Sequence, residues 1–125
     1  MSSAHATPSE IAAYRATAQR RMTEQRQQLR DRRARAWDVA REAAALLQQE
    51  YGAQRVLLFG SLARGDTVSI HSDVDLAAWG VAEREYYRIV AQLQDLDPSM
   101  PVDLVLMEDA NARLVHSVEE EGIPL

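Results

Sequence analysis

Apolar residues recur along this chain with two different periods. Between residues 36 and 50 (AWDVAREAAALLQQE), Trp37, Ala40, Ala44 and Leu47 fall at three- and four-residue steps, the stripe of a helix laid on a core. The stripe returns over 83–96 through Tyr86, Ile89, Val90 and Leu93, and the turn signal Asp97-Pro98-Ser99 stops it. Between these helices the continuous apolar run Val56-Leu57-Leu58-Phe59 predicts a strand at about 55–59. Runs at 73–79 and 102–107 predict two more. Gly60 opens a short helical turn over 60–65, residues 66–72 read as a loop, and a last helix covers about 109–121. Gly122 stops that helix and leaves 123–125 as a short final segment.

Upstream, residues 1–8 read as a mobile tail. No Gly or Pro interrupts residues 9–51, Ser9 is the expected N-cap and Glu10 sits in the first turn, so a helix is predicted here too. Its composition changes along its length. Met22 and Leu29 are the only large apolar side chains in 15–35, among eight Arg. The chain therefore divides into a tail (1–8), an Arg-rich helical extension (9–35) and a domain proper (36–125). The order helix, strand, strand, helix, strand, helix predicts an α+β fold, a small mixed β-sheet with helices packed on it.

Composition narrows the function classes. At 125 residues with 46% hydrophobic residues, the chain suffices for one core. It has no cysteine, which excludes disulfide scaffolds and thiolate zinc sites. No run approaches the roughly 20 apolar residues that span a bilayer. The opening MSSAHATPSE has no basic end followed by an apolar stretch, so a soluble cytoplasmic protein without membrane contact is expected. The net charge of −5 is unevenly spread: residues 1–50 hold nine Arg against six acids, and residues 51–125 hold five Arg against thirteen acids. An acidic second half argues against gripping a nucleic-acid backbone, which calls for dense positive charge.

The candidate chemistry lies in GSLARGDTVSIHSDVDL, residues 60–76. In a strand, residues i and i+2 share a face, so Asp73 and Asp75 project together while Val74 and Leu76 turn to the core. Two adjacent carboxylates repel unless a cation sits between them, and oxygen donors suit hard ions such as Mg2+. Asp103, within Val102-Asp103-Leu104-Val105-Leu106, adds a third carboxylate if its strand pairs beside the first. Three acids could then hold two metal ions, an arrangement that supports both attacking and departing oxygens in phosphoryl transfer. Gly60 lets the backbone approach a phosphate, and Ser61 can donate its hydroxyl to a phosphate oxygen or cap the turn. Arg64 could lean on a triphosphate or anchor the loop. No Gly-Lys-Ser/Thr follows, so this is not a Walker loop.

Gly60-Ser61, Ala63-Arg64-Gly65 and Ser72-Asp73-Val74-Asp75-Leu76 closely resemble the signature of the DNA polymerase beta-like nucleotidyltransferase superfamily. Within it, the chain looks most like the minimal nucleotidyltransferases (MNT), small domains usually encoded beside a HEPN-domain protein. The resemblance covers about 36–125. It implies metal binding by Asp73 and Asp75, and metal binding plus deprotonation of the incoming hydroxyl by Asp103. It further implies an antitoxin that transfers AMP from ATP to a tyrosine hydroxyl of a partner HEPN ribonuclease toxin, in a possible hetero-oligomer. Two other readings stand beside it: a non-catalytic antitoxin acting by stoichiometric binding, and a transferase for small molecules such as antibiotics. The second is disfavoured because 125 residues leave little room for an acceptor domain.

The loop 66–72 carries Val68 and Ile70 where relatives tend to be more polar, and the extension lies outside the resemblance. His71 and His116 read as bystanders, and Trp37, Trp79, Tyr86 and Tyr87 as core or interface aromatics.

Overall fold

The structure, a computed structural model, describes residues 5–65 and 73–125. The loop at 66–72, with Val68, Ile70, His71 and Ser72, and the first four residues lie outside the described residues. The elements run α1 (Pro8–Tyr51), β1 (Arg55–Phe59), α2 (Gly60–Arg64), β2 (Val74–Trp79), α3 (Tyr86–Leu96), β3 (Val102–Leu106), α4 (Ala112–Glu121) and β4 (Ile123–Pro124). Single 3-10 turns, Glu83–Glu85 and Met107–Asp109, lead into α3 and out of β3.

The sheet has the order β3-β2-β1-β4. β1 pairs antiparallel with β2 and with β4, whereas β2 and β3 run parallel, so the sheet is mixed as expected. The final segment proves to be a strand: Leu57 and Leu58 pair with Pro124 and Ile123.

The two sheet faces bury different sets. Val56, Leu58, Val74, Leu76, Ala78, Val102, Leu104 and Leu106 join Val39, Ala40, Ala43, Leu47, Ile89 and Leu93 of α1 and α3 in the main core. On the other face Leu57 and Ala77 pack with Met107 and Val118, and Phe59, Trp79, Val105, Leu114 and Val115 flank them. Both faces of β1 are thus covered, which is why 56–59 is apolar without alternation.

α1 is one uninterrupted helix of 44 residues. Its cap is Thr7 rather than Ser9: the Thr7 hydroxyl oxygen accepts from the Glu10 N–H at 3.2 Å. Pro8 then takes the first helical position, where its missing N–H costs nothing. All buried residues of α1 lie between Ala36 and Leu47. Near that boundary Arg35 Nε donates to Asp97 Oδ2 at 2.9 Å, tying α1 to the end of α3. Trp37 and Tyr86 pack on the main core and Trp79 on the smaller one, whereas Tyr87 is exposed. No helix among the described residues is long and apolar enough to cross a membrane.

Candidate active site

β2 is the central element of the site because it has a partner on each side. In the register, Asp75 stands opposite Phe59 of β1 and opposite Asp103 of β3. Asp75 and Asp103 share a face with Ala77 and Val105, two residues further along their strands, and so lie on the α4 side of the sheet. Asp73 directly precedes β2. Its neighbour Val74 is fully buried and is held by a hydrogen bond from its N–H to the Pro101 carbonyl at 2.9 Å, which fastens the β2 and β3 entries together. Asp73 and Asp75 are half-buried and Asp103 is exposed.

The carboxylates feel one another. The Asp75 carboxyl is pushed up from 3.8 to about 6, first by burial and then by the charges of Asp103 and Asp73, with Arg64 acting in the opposite sense. Such a group repels a further negative charge and gains from a cation placed among the three.

Gly60 faces these acids directly. Phe59 ends β1 in extended backbone, and Gly60 turns the chain at φ +78°. A Cβ built on Gly60 would collide with Asp75 Oδ2 and lie 3.1 Å from Asp75 Cγ. Glycine is therefore required twice, for the left-handed backbone and for contact with the carboxylate. Ser61 follows, half-buried in the first turn of α2. Arg64 closes α2, and its Nη1 lies 3.2 Å from Glu121 Oε2 on α4.

Among the described residues, no group of three or more His, Asp or Glu side chains is gathered as a ready metal site. The donors are nonetheless of the kind that magnesium takes, and Asp75 carries the cost of its burial and of the neighbouring charges of Asp103 and Asp73.

Residues 42–125 match the family model described as polymerase beta, nucleotidyltransferase. The chain belongs to the polymerase beta nucleotidyltransferase family. A solved structure provisionally described as a minimal nucleotidyltransferase is similar at 32% identity and TM-score 0.53, covering 79% of this chain and 94% of that one. A mutant of the MntA–HpeT toxin–antitoxin is similar at 26% identity and TM-score 0.58, over 68% of this chain and 69% of that one. The tri-AMPylated Shewanella oneidensis HEPN toxin in complex with MNT antitoxin gives 22% identity and TM-score 0.55, over 71% and 70%, a likeness of fold. No curated protein matches the chain.

In this nucleotidyltransferase, Gly60, Asp75 and Asp103 sit at one end of the β1-β2-β3 layer, with Asp73 beside them. Arg64 also reaches this end, since its charge acts on Asp75 while its guanidinium pairs with Glu121. The Glu121 partnership was not foreseen from sequence. Three consecutive acids at 119–121 carry no local signal that singles one out. His116 pairs with Glu120 at 3.2 Å, one turn along α4.

Proposed function

We propose that this chain is an antitoxin nucleotidyltransferase that transfers AMP from ATP to a tyrosine hydroxyl of a cognate HEPN ribonuclease toxin. The observation that carries the reading is the register opposing Asp75 to Asp103 against the Gly60 turn, with both acids on one face of the sheet. Support for the partner and for AMP as the group transferred comes from similar structures, one a toxin–antitoxin and one holding a tri-AMPylated HEPN toxin.

Asp73, Asp75 and Asp103 would hold two Mg2+ ions, with triphosphate and water oxygens completing the ligand set. When bound, the metal supplies positive charge that neutralises the carboxylates and the triphosphate. The remaining chemistry belongs to the chain itself. Gly60 lets a phosphate approach the backbone, and Ser61 donates its hydroxyl to a phosphate oxygen. Asp103, the most exposed of the three acids, accepts the proton from the acceptor hydroxyl. The hydroxyl oxygen bonds to the α-phosphorus, the bond from that phosphorus to the bridging oxygen breaks, and pyrophosphate leaves. Arg64, anchored on Glu121, sets a positive charge beside the site.

The test is incubation of the purified chain with α-labelled ATP, magnesium and the product of the neighbouring gene, which the reading expects to be a HEPN protein. Label is expected on the HEPN protein, and Asp73→Asn with Asp75→Asn removes it. Absence of label from the wild type, under conditions where the two proteins bind, defeats the transfer reading. Protection of cells by the doubly substituted chain would show instead that binding alone neutralises the toxin.

A further inference from the structure

α1 continues well beyond the core it serves. At 3.6 residues per turn, Ile11 lies ten turns before the fully buried Leu47 and so points in about the same direction. Tyr14, Ala18, Met22 and Leu29 fall on the same line. The face of α1 that packs on the sheet therefore extends upstream as an apolar stripe, exposed at Ile11, Tyr14 and Met22. Tyr14 is 75% exposed and Met22 51% exposed. Arg15, Arg21 and Arg26 flank the stripe, and residues 8–35 hold eight Arg against three acids. Over these 28 residues the helix measures about 42 Å.

The β3 edge of the sheet carries a surface of complementary character. β3 is an edge strand, and beside it lies a groove of about 510 Å³ between α3 and α4. Its floor and walls include Leu104, Leu106, Leu114 and Tyr87, the last 85% exposed, and its acids are Glu83 and Asp109. One surface is apolar with a basic border and the other apolar with an acidic one.

We propose that the projecting half of α1 docks into the β3 groove of a second copy of this chain. Reciprocal exchange of the two arms closes the pair as a dimer. Pairing arm against arm is disfavoured, because it would set the flanking Arg rows of two copies against each other. The inference rests on these two surfaces and is independent of AMP transfer.

Light scattering after size exclusion, on the chain alone at on the order of 100 µM, is expected to give twice the 14.0 kDa chain mass. Met22→Glu on the arm and Tyr87→Glu in the groove each weaken association by at least about tenfold, and raising salt to about 0.5 M weakens the wild-type dimer. Both substitutions fall at exposed positions, and unchanged circular dichroism shows that each variant is folded. Mixing the two variants restores a dimer, since each keeps the surface the other has lost. A monomeric wild type overturns the proposal. So does a dimer indifferent to both substitutions, or a mixture of the variants that stays monomeric.

Discussion

Replacing Gly60 by alanine separates the two reasons for glycine at the entry to α2. Gly52 and Gly60 have nearly the same backbone, φ +71° and φ +78°. A Cβ at Gly52 meets nothing within 4 Å, so Gly52→Ala pays only the left-handed conformation, about 1 kcal/mol. At Gly60 the same dihedral cost applies, and the methyl also collides with Asp75 Oδ2 and comes within 3.3 Å of Asp75 Cβ. Asp75 cannot retreat with its backbone, because β2 is paired with β1 and β3 at that residue. The carboxylate must rotate or the turn must shift, an overpacking cost of about 1–3 kcal/mol. Gly60→Ala is therefore expected to lose about 2–4 kcal/mol in all, read from urea midpoints at unchanged slope. Displacing Asp75 by about 1 Å should also slow the proposed AMP transfer about 100-fold. In an Asp75→Ala background the stability cost of Gly60→Ala should fall towards that of Gly52→Ala. Equal losses for the two glycine variants, or full activity in Gly60→Ala, would refute the reasoning.

The pH dependence of the metal-free protein follows from two acids with opposite shifts. Asp75 has its folded-state value raised to about 6, so its ionisation destabilises the fold: stability is highest below the ordinary value of 3.8 and falls as pH rises through about 6. Asp75→Asn should therefore raise stability at pH 8 by about 1–2 kcal/mol, discounted for partial exposure, while abolishing the proposed AMP transfer. Urea titrations in EDTA check this, and a loss of stability at pH 8 would contradict it. Asp97 is lowered to about 2, first by the Ser99 hydroxyl and then by Arg35, so its contribution is present above 3.8 and is lost as pH falls through about 2. Asp97→Ala should cost about 1 kcal/mol at pH 7 after allowance for solvent screening, and flatten the acid limb of the stability curve between about pH 4 and 2. An unchanged acid limb would show that the Ser99 and Arg35 contacts contribute nothing to the fold.

Sequence alone determined whatever is local. The helical stripes and apolar runs marked the elements because burial of one face imposes the 3.6-residue and 2-residue periods. Asp73 and Asp75 could be read together because two residues is the repeat of a strand, and Gly60-Ser61 because a strand that turns sharply needs glycine there. Local signals misled at the start of α1, where Thr7 and Ser9 offer similar capping hydroxyls and Pro8 decides between them by fitting only the first helical position. The nonlocal relations were decided by the tertiary structure. Nothing near Asp103 states that β3 runs parallel to β2 in the register that opposes Asp103 to Asp75; packing of α3 and Leu104 on the core fixes it. The approach of Gly60 to Asp75 and the pairing of Arg64 with Glu121, 57 residues apart, likewise exist only once the sheet has assembled. Periodicity reports which side of an element is buried, whereas partner and register depend on the shape of everything packed against it.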